Sequence, residues 1–365
     1  MRILYTLCGE GNGHATRSKV SIEHLRARGH DVLCAAASSP ASKVVAGAVP
    51  ADRLMTIVGL GTRCRDGEVS IRDTLEENLR RLRTAMTVNH RAWQEAERFA
   101  PHAAITDFDS FGWFFARAHG LPLVSIDNHQ VACRFLHDPS LVGDPSGMRL
   151  LEHVSRAVVP DADHFIVTSF FYVPPRPDSA RSTTLVPPIL RREVVDRFSN
   201  AGPTGDSPPD DSGPVLIYRS SYNDSRTIAA VLAQVPDVPF IGYGFETGAD
   251  ALTPNLVLRP FDERAFIEDL ARARAVVGNG GMSLLGESLA FGKPVYAVPV
   301  GGQYEQILNA AYVEACGYGR ASRTLDADVL RTFLDAAPST RVRIRSTPQH
   351  DANQRLFAAL DRLFC

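Results

Sequence analysis

Lysine is nearly missing from this chain of 365 residues: positions 19, 43 and 293 hold all of it, against 39 lysines and arginines together. That bias is the mark of GC-rich coding rather than of a function. An excess of either charge is missing too. The formal net charge is −2 with histidine neutral, which argues against the basic footprint of a dedicated nucleic-acid binder. The six cysteines, at positions 8, 34, 64, 133, 316 and 365, form no C-x-x-C pair and have no accompanying histidine cluster. They point away from a disulfide framework or a zinc site and towards free thiols of a cytosolic protein. No stretch approaches the ~20 apolar residues of a membrane-spanning helix. The N-terminus enters a strand pattern at once, without the basic segment and apolar run of a signal peptide. The expected location is therefore the cytoplasm.

What is present is ordinary in bulk and patterned in detail. Hydrophobic residues make up 44% and charged residues 22%, the balance of a globular protein, and the length suggests two domains. Short apolar runs at 3–7, 31–36, 103–106, 123–126 and 165–168 alternate with helical patterns at 16–28, 72–99 and 112–119. Strand–helix alternation at this spacing predicts right-handed βαβ units and parallel sheets. The pattern breaks at 199-SNAGPTGDSPPDDSGP-214, which is rich in Pro, Gly, Ser and Asp. It resumes with strands at 215–218, 240–242, 256–259, 275–277 and 295–298, and helices at 225–234, 263–271, 283–290 and 303–315. The expected organisation is a first domain over 1–190, a linker over 191–214, a second domain over 215–345 and a C-terminal helix over 346–365. That helix has apolar residues at 356, 357, 360, 363 and 364 and should pack back on the body, across the interdomain region.

Two glycine clusters stand at strand-to-helix transitions. The first is 8-CGEGNGHATRS-18, after the apolar run 3–7. The second is 275-AVVGNGGMSLLGESLAFGKPVYAVPV-300. In the second, glycines let the backbone approach a ligand, and the following helix offers unpaired N–H groups and a partial positive charge suited to a diphosphate. Glu287, six residues past Gly281, has the chemistry to accept two hydrogen bonds from a ribose diol. Gln303, Glu305 and Gln306, at the start of the next helix, suit sugar hydroxyls.

Gly281, Glu287, Gly292-Lys293-Pro294, Pro299, Glu305-Gln306 and Asn309 stand in the order and spacing of a known signature. In this stretch, about 261–309, the chain resembles the donor-binding domain of GT-B glycosyltransferases of the MurG-like and UDP-glycosyltransferase superfamily. The resemblance implies an α/β fold of two doubly wound, Rossmann-like domains facing a central cleft. It further implies that Glu287 binds the donor ribose, that Asn279, Gly280, Gly281, Met282 and Ser283 hold the diphosphate, and that Gln303, Glu305 and Gln306 read the sugar. Phe261 falls where relatives place an aromatic over the nucleobase. Many relatives have His where this chain has Asn279. In 219-RSSYND-224, Arg219 neutralising the diphosphate with Ser220 and Ser221 donating to it stands beside a plain helix cap.

In the same frame, CGEGNGHATRS resembles the first loop of the superfamily, with Gly11 and Gly13 giving room beside the donor and His14 as general base. Such a base takes the proton of an attacking hydroxyl, and a carboxylate on its other nitrogen fixes the tautomer. Asp107, at the end of the strand in 104-AITDFDSF-111, is the expected partner, with Asp109 the runner-up. Asn128 and His129 are expected to line the acceptor pocket. The Arg-rich segment 61–86 has acids mixed in and is expected to be a solvated helix face rather than a peripheral membrane contact.

The resulting expectation is an inverting glycosyltransferase that moves a sugar from a nucleotide diphosphate sugar, a UDP-sugar favoured, to a hydroxyl-bearing acceptor. No cofactor or metal is expected beyond that co-substrate. A GT-B type UDP-sugar 2-epimerase or hydrolase is the alternative. A nicotinamide-dependent oxidoreductase using Gly9, Gly11 and Asp31 would need glycine at position 14, where His stands.

Overall fold

The structure, a computed structural model, describes all residues except 66–67, 144, 202–211, 220–224, 246–252, 347–349 and 365, and for 198–201 the backbone only. The first half contains β1 (Arg2–Leu7), β2 (Asp31–Ala36), β3 (Leu54–Thr56), β4 (Ala103–Asp107), β5 (Leu123–Asp127), β6 (His164–Thr168) and β7 (Thr183–Val186). They form one parallel sheet in the order β3-β2-β1-β4-β5-β6-β7. The second half contains β8 (Val215–Tyr218), β9 (Phe240–Tyr243), β10 (Leu256–Leu258), β11 (Ala275–Gly278), β12 (Val295–Ala297) and β13 (Gly319–Ala321). Its sheet is also parallel, in the order β10-β9-β8-β11-β12-β13.

The central strands are near-continuous apolar runs because helices cover both faces of a parallel sheet. β4 and β5 are buried at every residue. In each sheet the chain starts in the middle and the order reverses, between β1 and β4 and again between β8 and β11. Ligands in such sheets bind outside the carboxyl ends of the strands at this reversal. Those ends are Leu7 and Asp107 in one half, Tyr218 and Gly278 in the other. Both glycine clusters therefore begin at a switch point.

Several elements were not visible in the sequence. β3 (LMT), β7 (TTLV) and β13 (GRA) are short edge strands without an apolar run. Helices at Pro145–Val158 and Ala327–Ser346 were likewise missed, the second carrying Pro338 inside it. The segment expected to be a linker from 191 begins instead as a helix, Arg192–Ala201, with Arg191 buried just before it. The Arg-rich segment forms a small antiparallel hairpin, Cys64–Arg65 with Glu68–Val69, followed by the 29-residue helix Ile71–Phe99. Its outer face is not purely polar: Ile71, Leu75, Leu79, Leu82 and Met86 are all exposed. Among the described residues no helix is long and apolar enough to cross a membrane.

The two halves share apolar packing. The largest buried cluster joins Val131, Phe135, Phe165 and Phe171 of the first half to Tyr243, Met282, Leu308 and Tyr312 of the second. Phe171 and Tyr312 stack with ring centroids 3.7 Å apart. The C-terminal helix, Gln354–Phe364, returns to the first sheet, where Leu356, Ala359, Leu360 and Phe364 join the cluster of Ile3, Tyr5 and Ile126. Asn353 fixes the entry by exchanging hydrogen bonds with the Leu190 backbone, at 2.9 and 2.8 Å. Asp361 then accepts from His24 Nε2 at 2.8 Å and Arg28 Nε at 3.0 Å.

Leu360 is fully buried at the centre of this contact. Leu360→Ala is expected to destabilise the protein by about 2–5 kcal/mol, read as a lower denaturation midpoint. An unchanged midpoint would mean that the tail does not dock on the first sheet.

Candidate active site

The first glycine cluster is a helix start rather than a loop. The helix Gly11–Ala27 begins directly after Glu10, with Gly11 at φ 64°, a left-handed conformation that glycine adopts without a Cβ penalty. His14 therefore sits in the opening turns, one helical turn before Arg17 and Ser18. All three meet Asp107 at the end of β4. His14 Nδ1 lies 2.7 Å from Asp107 Oδ1. Arg17 donates from Nε to Oδ2 at 2.8 Å and from Nη2 to Oδ1 at 2.5 Å, and Ser18 Oγ donates to Oδ2 at 2.9 Å. Burial alone would raise the Asp107 carboxyl, but the Arg17 charge and then His14 outweigh it and hold it at about 2. Asp107 is thus an acceptor at neutral pH.

The residues after Asp107 shape the pocket wall. Phe108 takes a left-handed backbone, φ 52°, uncommon for a bulky residue. Its ring stacks on His129 with centroids 3.8 Å apart, and His129 stacks on His14 at 5.6 Å. Burial, then the neighbouring His14 and Arg17, push His129 well below the usual histidine value, so it is a neutral ring. Its Nδ1 is buried without a hydrogen-bond partner among the described residues. Asp109 is not brought to His14. It caps the helix Ser110–His119, its Oδ1 accepting from Phe111 N at 2.9 Å and Gly112 N at 3.4 Å.

The second cluster faces the first. Ser283 Oγ donates to Gly13 O at 3.4 Å, and a Cβ on Gly13 would stand 2.9 Å from Ser283 Oγ. Two helix N-termini, at Gly11 and Met282, therefore meet at Gly13, where an added Cβ would displace the Ser283 hydroxyl. Gly281 occupies the N-cap position of the helix Met282–Ala290, and Gly280 has φ 83°. Asn309 Nδ2 donates to Gly280 O at 2.9 Å and to Glu305 Oε1 at 2.7 Å. Asn128 Nδ2 donates to the same Glu305 oxygen at 2.9 Å, so Asn128 and Glu305 meet across the cleft. Burial raises the Glu305 carboxyl. Gln306 accepts from Val300 N at 3.0 Å and donates to Gln303, so this pair shapes the loop before it.

Four further expected donor residues have particular settings. Arg219 is buried, with Nη1 3.4 Å from Val298 O and Nε without a partner among the described residues. Burial pushes it down to about 10, so it is still a cation, with no carboxylate bonded to it among the described residues. Ser220 and Ser221 lie outside the described residues. Glu287 is buried and both its oxygens are taken by Arg191, from Nε and Nη2 at 2.6 Å each. Phe261 is half-exposed beside Tyr218 and Tyr243, at 6.4 and 6.5 Å. Asn279 is buried at the end of β11.

Comparison with known proteins gives the family and the fold. The family model described as glycosyl transferase family 1 matches residues 1–338. The chain belongs to that family. An uncharacterized glycosyltransferase of Methanosarcina acetivorans is 24% identical over 335 residues, covering 88% of this chain and 85% of the relative. Among solved structures, the glycotransferase of kitacinnamycin superposes with a TM-score of 0.63 at 18% identity, covering 99% of this chain and 98% of that one. MurG of Acinetobacter baumannii gives 0.59 at 16%, covering 99% of each chain. The fold is GT-B, and the protein is a glycosyltransferase.

Sequence reasoning missed two arginines of this glycosyltransferase. Arg17 follows His14 by three residues, a spacing that puts both on one helix face, and that was the available signal. Arg191 had none, because it lies in the segment taken for a linker. The hairpin after residue 63 was missed as well. Val69 N donates to Gly301 O at 2.8 Å, so an arm of the first half reaches the loop that precedes Gln303. Among the described residues no three His, Cys, Asp or Glu side chains are grouped as metal ligands; the five described cysteines are free.

Burial raises the Asp109 carboxyl to about 6, against about 3.9 in an unfolded chain. The folded state therefore binds the proton more tightly, and stability falls as pH rises from about 4 to about 6. Asp109→Asn retains an N-cap acceptor and removes this dependence. It is expected to be more stable than the parent by roughly 1–3 kcal/mol at pH 7, with the gap closing towards pH 4. Melting curves against pH check this; a gap that does not vary with pH would contradict it.

Proposed function

We propose that this glycosyltransferase moves a sugar, with inversion, from a nucleoside diphosphate sugar to an acceptor hydroxyl, with His14 as general base. A UDP-sugar is the favoured donor. The observation that carries the reading is the His14–Asp107 pair standing beside two glycine-lined helix N-termini. Asp107 accepts a hydrogen bond from Nδ1–H, which leaves Nε2 to take the acceptor's proton as its oxygen attacks the anomeric carbon. The Asp107 carboxylate then stabilises the imidazolium. On the other side the diphosphate leaves towards the N–H groups of Met282 and Ser283, whose partial positive charge favours an anion. The buried Arg219 cation adds to that field. This is charge stabilisation that needs no metal.

Sugar hydroxyls fit the Glu305, Asn309 and Gln303 side of the cleft, and Phe261 suits the nucleobase. Glu287 reaches a ribose only through rearrangement of the Arg191 fork, so Arg191 belongs to the donor site in this reading. Phe108 and the neutral His129 offer an acceptor a flat apolar wall. The structural neighbour named for kitacinnamycin favours a natural-product acceptor in this reading. For a lipid-linked one, the exposed Leu75, Leu79, Leu82 and Met86 face is where a membrane surface would be met.

The test is a panel of nucleotide sugars scored by thermal shift and then by transfer. His14→Gln is expected to keep the donor-induced shift while kcat falls by about 10²–10⁴-fold, and a chelator is expected to leave the rate unchanged. If no nucleotide sugar stabilises the protein, the donor reading fails. If His14→Gln turns over at the parent rate, the base assignment fails. Donor consumption without any acceptor would favour the epimerase or hydrolase alternative.

A further inference from the structure

Asp107 is engaged more heavily than fixing a tautomer requires. A carboxylate offers roughly four acceptor sites, and here four donors meet them. Oδ2 takes Arg17 Nε and Ser18 Oγ; Oδ1 takes Arg17 Nη2 and His14 Nδ1. With Asp107 fully buried, a carboxylate gripped on three sides cannot turn away from the imidazole. Charge matters equally. An uncompensated buried carboxylate draws a proton onto a neighbouring imidazole, and a protonated ring cannot serve as a base. Arg17 Nη2 lies 2.7 Å from Nδ1 itself and opposes that protonation.

The other titratable groups around the ring do not replace it. His129 stacks from the end of β5 as a neutral ring. Glu305 faces both His14 and Arg17 from the helix Tyr304–Ala315, and Asp127 acts on Arg17 from β5. In this set Arg17 is the cation.

We infer that Arg17 is the positioning residue of the His14–Asp107 pair: its fork aims the carboxylate at Nδ1 and leaves Nε2 free, and its charge stands against the same ring nitrogen. The catalytic meaning rests on the reading of His14 as the base. The arrangement itself does not. The rival arrangement has Arg17 Nη2 donating to a bare Nδ1, which puts the proton on Nε2, deprives Oδ1 of a donor and blocks the base.

Nitrogen-15 NMR of histidine-labelled protein tests this without turnover, His14 being assigned by its loss in His14→Gln. The parent protein is expected to hold His14 as the Nδ1–H tautomer. Arg17→Met is expected to move its protonation midpoint upward by about one pH unit or more, and the acid limb of kcat/KM with it. Arg17→Lys keeps the charge but loses the fork, so the midpoint stays near the parent's while kcat falls. An Nε2–H tautomer in the parent, or an unmoved midpoint in Arg17→Met, overturns the proposal. Should Arg17→Met fail to fold, the parent tautomer and Arg17→Lys decide, and an unchanged kcat in the latter overturns the role of the fork. A full-rate His14→Gln would remove the base reading alone, since tautomer and midpoint still report the hold of Arg17.

Discussion

One buried carboxylate organises this protein. Asp107 lies at the carboxyl end of β4, and its four donors all come from three residues of the first helix, His14, Arg17 and Ser18. A buried charge is tolerated only when it is paired and fully hydrogen-bonded, so the strand end and the helix start are bound to one geometry. That geometry sets the rotation of the helix, which presents Gly13 to Ser283 and His14 to the cleft. If the carboxylate were merely solvated, the helix would have no reason to stop at this angle. The left-handed Phe108 follows from the same constraint: the chain must leave Asp107 and turn at once into the helix capped by Asp109.

The two halves meet through contacts of different kinds. Away from the site, Phe135, Phe165 and Phe171 share a buried cluster with Tyr243, Leu308 and Tyr312, which holds the halves together by excluded water. At the cleft the contacts are polar: Asn128 to Glu305, Arg191 to Glu287, and Val69 to Gly301. Net hydrogen bonds of this kind are worth about 1 kcal/mol each, more with charge. A ligand carrying phosphates and hydroxyls replaces such bonds like for like, while it has nothing to offer an apolar seam. The division keeps the halves docked on one side and exchangeable on the other.

Much of the fold was legible. The strands 3–7, 103–106, 215–218 and 275–277 are buried on both faces and so appear as unbroken apolar runs. The edge strands β3, β7 and β13 were not, because three or four half-exposed residues leave no periodic trace. Asp107 was legible as a strand-end acid and His14 as the histidine of a glycine-rich transition. Arg17 and Arg191 were harder, because an arginine's default position is the surface. Only a partner elsewhere in the chain takes one inside.

The alternation of strand and helix, the two glycine clusters and the family signature from Gly281 to Asn309 were legible along the chain, since they depend on local spacing and on turns that favour glycine. The tertiary structure decided who pairs with whom. Glu287 faces Arg191 and Glu305 bridges to Asn128, choices made across 96 residues and 177. Hydrogen bonds and ion pairs act over a few ångströms, so their partners are fixed only when packing has brought distant segments together.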